Sequence, residues 1–151
     1  MAEQAIKSVS LLKEEDIFSH AMFVIGDRKD TKGSIDGLKE FANELDPDFA
    51  IFTALTPFPG TEIYEEAERM GWIEDFNLSH YDMAHAIMPT ETLTRLEVQE
   101  ELYSCYRSFY GSMRRRLGGV FSSNKLKSRL YRHMMGQGVV RQFKNLIPLT
   151  I

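Results

Sequence analysis

The sequence predicts an α/β fold with two parallel strands, about five helices and a helix-rich C-terminal part. Two short apolar runs, within residues 17–25 and 49–55, flank a stretch with helical periodicity. This order predicts a strand–helix–strand unit with a right-handed crossover. Beyond residue 93 the apolar residues recur mainly at helical spacing, which predicts further helices. The 151 residues, 43% of them hydrophobic and 26% charged, have the composition of a single globular domain.

The first four elements follow from apolar spacing and from residues that start helices. Helical spacing predicts an opening helix over residues 1–13. A buried strand is expected over 17–25, and the helix after it begins at an N-cap, either Thr31 or Ser34. A second buried strand is expected over 49–55, because its apolar run is continuous and does not alternate.

The middle of the chain is predicted to be a short helix followed by a long loop. Thr61 is the candidate N-cap of a helix that runs to about Met70. Residues 72–91 have no clear periodicity and contain several turn-forming residues. We therefore expect an ordered loop that lies over the core.

The C-terminal part is predicted to contain two helices. Thr94 and Glu97 form a capping-box pattern before a long helix, and a last helix spans about residues 125–135. Gly118 and Gly119 are expected to end the first helix, and Gly136 and Gly138 to interrupt the second, with a further helical turn as one continuation. The predicted inner faces consist of Val98, Leu102, Cys105, Tyr106, Phe109 and Met113, then Leu126, Leu130, Tyr131 and Met134.

Charge divides sharply along the chain. Residues 1–101 carry 22 acidic and 8 basic groups, whereas residues 102–151 carry 10 basic and no acidic groups. The basic part is therefore expected either to pack on the acidic part or to meet an anionic partner, with weak contact at a membrane surface as one alternative. The acidic first part and the lack of a reading motif argue against nucleic acid as the partner.

Neither a membrane-spanning segment nor a metal site is predicted. No apolar run approaches the roughly 18 residues of a spanning helix, and the N-terminus lacks a signal-peptide pattern. The expected location is therefore the cytoplasm. The four histidines have no zinc-like spacing to a cysteine or carboxylate, so we expect no metal ligands.

Two loops are expected to follow the two strands at one edge of the sheet, where α/β proteins bind ligands. The first contains Gly26, Asp27 and Asp30, and the second begins with Thr56 and Pro57. Gly26 would let a ligand approach the backbone, and Asp30 would accept hydrogen bonds from hydroxyl or amino groups. The alternative is structural, with Gly26 ending a strand and Asp30 helping to cap the next helix.

Three further side chains are candidates for contact with a large planar substrate. Phe58 lies between two prolines that stiffen its loop, and Tyr81 and His85 lie in the long irregular segment. The alternatives are a strand-to-helix connector for the Phe58 loop, core packing for Tyr81, and a hydrogen-bonded loop histidine for His85.

Three segments together resemble one enzyme family. They are Phe23–Thr31 (FVIGDRKDT), Leu55–Tyr64 (LTPFPGTEIY), and Tyr81-Asp82 with Thr90, Leu93 and Tyr106–Tyr110 (YRSFY). In this order they are similar to the second half of the barrel in radical S-adenosylmethionine (SAM) enzymes that carry a cobalamin-binding domain. Within that family the chain resembles the anaerobic magnesium-protoporphyrin IX monomethyl ester oxidative cyclases. The resemblance covers about residues 1–117 and would make the chain the C-terminal half of such an enzyme.

The resemblance implies a fold, a set of cofactors and a site. Residues 1–91 would form a partial TIM-like barrel segment, and residues 92–151 a basic helical extension packed on it. The family uses SAM, a [4Fe–4S] cluster and cobalamin, and the two loops named above would line the cofactor site. Asp30 stands where the family usually has glutamate, and Arg28 with Lys29 where it has Pro-Gly.

The resemblance also implies a partner. Cys105 is the only cysteine, whereas a site-differentiated cluster needs three thiolates. We therefore expect no cofactor bound by this chain alone, and either a second chain that supplies the cluster-binding half or a homodimer partner. Two alternatives remain for the function: a catalytically silent module that dimerises through its sheet edge, and a part of a cobalamin-dependent methyltransferase that acts on a lipid.

Overall fold

A computed structural model describes residues 2–137 of the chain, and these form six α-helices and two strands. In chain order the elements are α1 (Ala2–Glu14), β1 (His20–Ile25), α2 (Lys32–Leu45), β2 (Phe49–Ala54), α3 (Glu62–Arg69), α4 (Arg95–Tyr110), α5 (Met113–Val120) and α6 (Lys125–Gln137). A short 3₁₀ helix, Leu78–His80, lies between α3 and α4. The α/β class and the helix-rich C-terminal part are confirmed, with one helix more than predicted.

The two strands pair in parallel. The amide of Phe49 donates to the carbonyl of Ser19 at 3.1 Å, and the amide of Leu55 donates to the carbonyl of Ile25 at 2.7 Å. Both bonds join residues 30 positions apart, so the strands run in the same direction. Within residues 2–137 the sheet contains only these two strands, and the barrel segment implied by the resemblance stays a prediction.

The burial of β1 corrects one expectation. The strand was predicted to be buried throughout, yet Met22 and Val24 are 62% and 54% exposed, whereas Phe23 and Ile25 are buried. The side chains alternate between the two faces, and only one face of β1 is covered. The strand also begins at His20 and not near Ile17, whose amide donates to the carbonyl of Leu12 at the end of α1.

The helix starts predicted in the first half are confirmed. Thr31 and Ser34 cap α2 reciprocally, because each hydroxyl accepts from the amide of the other residue at 3.0–3.1 Å. The hydroxyl of Thr61 accepts from the amide of Tyr64 and so caps α3. Gly71, just past the end of α3, has φ +68°, as helix C-termini often require.

The prediction of one long helix after Thr94 was wrong. The structure has two helices there, α4 and α5, with a break at Gly111. α4 ends at Tyr110, and the hydroxyl of Ser112 accepts from the amide of Arg115 to start α5. A Cβ at position 111 would clash with the carbonyl oxygen of Arg107, so only glycine fits there. Met113 is consequently exposed and does not lie on an inner face.

Three glycines predicted to end or interrupt the C-terminal helices, Gly118, Gly119 and Gly136, lie inside helices. α5 continues through Gly118 and Gly119, and α6 continues through Gly136. A Cβ at Gly119 would clash with the ring of Tyr131, so this glycine permits close packing of α5 against α6. Gly138 lies outside the described residues. On α6, Tyr131 is buried as expected, but Leu126 is exposed.

The chain divides into two compact units. The described residues of the first fall within Met1–Ala21, Lys39–Ile51 and Tyr106–Ile151, and the second comprises Met22–Leu38 and Phe52–Cys105. The predicted division into residues 1–91 and 92–151 stays a prediction. Among residues 2–137 no helix has both the length and the apolar character needed to cross a membrane.

Buried polar contacts hold the first unit together. The hydroxyl of Tyr110 donates to the carbonyl of Ala50 at 2.8 Å and accepts from its amide at 2.9 Å. The carboxylate of Asp48 accepts from the amide and hydroxyl of Ser19 and pairs with Lys127 at 2.7 Å. These bonds join the last residue of α4 to β2, and Lys127 of α6 to the residue just before β2.

Candidate functional site

The predicted site residues all lie in the second unit, around the carboxyl ends of β1 and β2. The 2.7 Å bond between Leu55 and Ile25 joins the last residue of β1 to the first residue after β2. The loops that begin at Gly26 and Thr56 are therefore neighbours, as the topology predicts.

The carboxylate of Asp30 holds its own loop in place. One oxygen accepts from the amides of Gly26 and Asp27 at 2.9 and 3.1 Å, and the other from the hydroxyl of Ser34 at 2.9 Å. Three internal donors thus engage both oxygens, which supports the structural interpretation of this residue. The cap of α2 is Thr31, so Asp30 organises the loop before the helix.

Gly26 is required by the backbone and by its neighbours. Its φ is +88°, and a Cβ built on it would lie 3.1 Å from Cγ1 of Val98 and 3.7 Å from the amide nitrogen of Leu55. Val98, on α4, therefore occupies the space beside Gly26 that a ligand would need. This geometry favours the alternative that Gly26 ends the strand.

The second loop presents an aromatic side chain from a fixed backbone. The hydroxyl of Thr56 donates to the carbonyl of Ala54 at 3.1 Å, and Pro57 is buried. The carbonyl of Phe58 accepts from both the amide and the hydroxyl of Thr61, at 3.1 and 2.7 Å. The ring of Phe58 itself is 40% exposed, so it is available to an incoming molecule at little entropic cost.

The loop that carries Tyr81 and His85 reaches the end of β2, where the amide of Ala54 donates to the carbonyl of Met83 at 2.8 Å. Tyr81 packs against the apolar cluster of Ala67, Ile73, Ile87 and Met88. Its hydroxyl donates to the carbonyl of Asp75 at 3.2 Å, and burial raises the pKa of the phenol. These contacts agree with the core-packing alternative for Tyr81.

Two histidines of this loop form carboxylate pairs that the sequence did not reveal. Nδ1 of His85 lies 2.9 Å from Asp82, and Nδ1 of His80 lies 2.8 Å from Asp75. The two imidazole rings stack with centroids 4.6 Å apart. Burial alone would raise the pKa of each aspartate, but hydrogen bonds, chiefly from the histidines, outweigh it and lower the pKa. His85 is therefore a hydrogen-bonded loop histidine, as one alternative held.

The donor set for an iron–sulfur cluster does not fit this chain. Cys105 is the only thiol in all 151 residues, and it is completely buried on α4. A single inaccessible thiol cannot hold a cluster that needs three thiolates. No group of three or more histidine, cysteine or acidic side chains within residues 2–137 is arranged to hold a metal ion.

Arg28 is a further candidate in these loops that the sequence did not single out. It lies in the loop after β1, where its Nη1 donates to the carbonyl of Pro89 at 2.7 Å. Its guanidinium carbon lies 4.4 Å from the ring centroid of Trp72. These partners are 61 and 44 positions away in the chain, and the only signal in the sequence is the departure from Pro-Gly at positions 28 and 29.

Known proteins similar to this chain act on tetrapyrroles or are named methyltransferases, although no protein-family model matches it. The anaerobic magnesium-protoporphyrin IX monomethyl ester cyclase of Cereibacter sphaeroides is 33% identical over 104 residues, which are 69% of this chain and 17% of that protein. An uncharacterized methyltransferase of Pyrococcus horikoshii is 30% identical over 108 residues, 72% of this chain and 24% of that protein. The bacteriochlorophyllide d C-12(1)-methyltransferase of Chlorobaculum tepidum is 28% identical over 102 residues, 68% of this chain and 22% of that protein.

The chain thus spans between 17% and 24% of the length of these relatives. The aligned part comprises about 70% of the chain. The resemblance inferred from the three segments is confirmed: the chain is a homologue of the anaerobic magnesium-protoporphyrin IX monomethyl ester cyclases and of related methyltransferases.

Proposed function

We propose that this chain forms part of a radical SAM enzyme that modifies a tetrapyrrole. The proposal rests on the names of relatives from two organisms, which refer to magnesium-protoporphyrin IX monomethyl ester and to bacteriochlorophyllide d. Both are large planar macrocycles. Because the relatives include both a cyclase and methyltransferases, the proposal is tetrapyrrole modification and does not choose between ring closure and methyl transfer.

In this proposal the chain forms part of the substrate-binding cavity, and other polypeptide provides the cysteine ligands of the cluster. Because Cys105 is the only cysteine of the chain and is buried, the proposal assigns the cluster thiolates to residues outside these 151. The chain's own contribution is the pair of neighbouring loops after β1 and β2. Within them, Phe58 offers an exposed ring on a backbone fixed by Thr61, suited to stacking on a macrocycle.

The open face of β1 supports the need for further polypeptide. Met22 and Val24 are exposed on a strand whose opposite face is buried, and apolar sheet faces are normally covered. Because the relatives are four to six times longer than the aligned segment, we assign the cover to the remainder of such an enzyme. Sedimentation of the purified chain discriminates, since a concentration-dependent dimer would instead favour the silent dimerising module.

Substrate binding is the direct test of the proposal. Titration of the full chain with magnesium-protoporphyrin IX monomethyl ester should shift the porphyrin absorption band and saturate. Phe58→Ala should weaken binding by roughly tenfold, since a ring stack contributes about 1 kcal/mol or more. Phe76→Ala is the matched control, because Phe76 is also exposed but lies outside the two loops.

Two results would count against tetrapyrrole modification. One is the lack of a saturable shift with either the porphyrin ester or a bacteriochlorophyllide. The other is equal weakening by Phe58→Ala and Phe76→Ala, which would show that the macrocycle adsorbs to exposed aromatic groups in general. Saturable binding of a long-chain lipid in place of the macrocycle would favour the lipid-methyltransferase alternative.

We also propose that the surface of α5 makes weak contact with an anionic membrane. Met113 and Leu117 lie four residues apart on α5, Phe121 follows one turn later, and all three are exposed. Four exposed cations of this region have no ion-pair partner among the described residues: Arg114, Lys125, Arg129 and Arg132. An exposed apolar stripe with unpaired cations nearby suits a bilayer that contains anionic lipids.

Vesicle co-sedimentation tests this contact. The chain should bind vesicles that contain phosphatidylglycerol more than vesicles of phosphatidylcholine alone, and salt should weaken the binding. Leu117→Gln should reduce the bound fraction, whereas Leu11→Gln, at an exposed position on α1, should not. Equal binding to neutral and anionic vesicles, or the same loss in both variants, would contradict the membrane contact.

A further inference from the structure

The guanidinium of Arg28 has an incomplete set of hydrogen-bond partners. Nη1 donates to the carbonyl of Pro89, but Nε is buried and meets no acceptor. Within residues 2–137 it is the only buried side-chain nitrogen or oxygen in this condition. Buried polar groups are nearly always satisfied, so the missing acceptor at Nε calls for a functional explanation.

The positive charge of Arg28 also lacks a counter-ion among the described residues. The two carboxylates of the same loop are engaged elsewhere: Asp27 accepts from the amide of Lys29, and both oxygens of Asp30 accept from its own loop and from Ser34. Neither is free to approach the guanidinium without giving up those bonds. A negatively charged group from outside the chain would complete the pair.

The position of Arg28 fits a ligand contact. It lies two residues after Gly26, at the carboxyl edge of the sheet where the two loops are neighbours. The ring of Trp72 lies against one side of the guanidinium, which limits the orientations of its plane. Arg28 as a whole is partly exposed, so a ligand can reach it from solvent.

We propose that Arg28 binds the free carboxylate of the tetrapyrrole, an inference that rests on the proposed function. A guanidinium presents Nε and Nη2 as a fork that matches the two oxygens of a carboxylate. A porphyrin with two propionate side chains keeps one free carboxylate when it is a monomethyl ester. Because Nε is buried, binding of the carboxylate requires a local rearrangement around the guanidinium, and the adjoining Trp72 is placed to report it.

The experiment uses the single tryptophan of the chain as its probe. Quenching of Trp72 fluorescence is titrated with magnesium-protoporphyrin IX monomethyl ester and, separately, with the dimethyl ester, which has the same macrocycle and no free carboxylate. The monomethyl ester should bind at least about tenfold more tightly, as expected for a paired carboxylate. Arg28→Gln should abolish this preference, so that the two esters bind the variant equally.

Two further variants serve as controls for misfolding and for a general effect of charge. Arg28→Lys keeps the charge but loses the fork, so it should retain only part of the preference even if Arg28→Gln folds poorly. Lys29→Gln removes the neighbouring exposed cation and should preserve the full preference, which excludes a general effect of net charge.

The outcomes separate this inference from the proposed function. If both esters bind the natural chain equally, the carboxylate contact is refuted while tetrapyrrole binding stands. If the preference survives Arg28→Gln, the carboxylate binds elsewhere and Arg28 is not its partner. If neither ester binds, the proposed function fails and the inference fails with it.

Discussion

Substitution of Gly26 by alanine should destabilise the chain for two separable reasons. Its φ of +88° is costly for any residue with a Cβ, by about 1–2 kcal/mol. The new Cβ would also lie 3.1 Å from Val98, a buried side chain of α4 that must shift. Strained contacts of this kind in packed interiors add about 1–2 kcal/mol, so the total loss should be about 2–4 kcal/mol.

Gly60 provides a matched control for the backbone term. Its φ is +87°, and a Cβ there would meet no atom within 4 Å, so Gly60→Ala should cost only the backbone strain of about 1–2 kcal/mol. The entropy that alanine removes from the unfolded chain is the same in both variants and cancels in the comparison. Urea unfolding followed by circular dichroism gives the free energy of unfolding of each variant.

The double variant Gly26→Ala/Val98→Ala tests the assigned contact. Removal of the Val98 methyl groups should make the cost of Gly26→Ala fall towards that of Gly60→Ala, with a coupling energy of about 1 kcal/mol or more. Equal losses for Gly26→Ala and Gly60→Ala would refute the steric reasoning. Zero coupling in the double variant would refute it independently.

Three further predictions concern the first unit. Tyr110→Phe leaves the buried amide of Ala50 without its partner, so the free energy of unfolding should fall by about 1–3 kcal/mol, and hydrogen exchange at that amide should accelerate. Gly119→Ala would place a Cβ against the ring of Tyr131 and should lower the melting temperature, whereas Gly118→Ala, with open space around it, should not. Asp48→Asn should lower the free energy of unfolding by about 2–3 kcal/mol at neutral pH, because hydrogen bonds to a charged group are lost. Urea unfolding repeated at several pH values measures this difference.

The pH dependence of the Asp48 effect has a definite sign. Burial alone raises the pKa of this carboxyl, but hydrogen bonds from Lys127 and Ser19 outweigh burial and hold the pKa below its ordinary value of 3.8. The ionised carboxylate therefore stabilises the fold above about pH 4, and the contribution is lost as the pH falls further. The difference between the natural chain and Asp48→Asn should shrink below pH 4. A difference that is constant from pH 7 to pH 3 would contradict this assignment.

Local signals predicted the helix starts well. The capping box of Thr94 and Glu97 is confirmed, because the Glu97 carboxylate accepts from the Thr94 amide at 2.8 Å and both partners lie within one turn. The break at Gly111 escaped prediction, since the residues on either side keep the apolar spacing of one helix. The open face of β1 escaped it as well, because a continuous apolar run does not reveal how many faces are covered.

The proximity of the two candidate loops was predictable from the sequence, and their side-chain contacts were not. The parallel order of β1 and β2 alone makes their loops neighbours, so Gly26 and Thr56 could be placed together from the sequence. The contacts of Arg28 with Trp72 and Pro89 join distant positions through loops without periodicity. The same holds for the stacked rings of His80 and His85, whose geometry depends on how their loop folds.

The uncovered side of β1 also governs how the chain behaves when it is produced alone. Two large apolar side chains exposed on one face of a strand favour face-to-face association between copies, so a concentrated preparation should precipitate on warming before it unfolds reversibly. Replacement of Met22 and Val24 by threonine would keep the strand propensity while making that side wettable. Such a doubly substituted chain is the practical starting material for the binding titrations, because neither residue lies in the two loops.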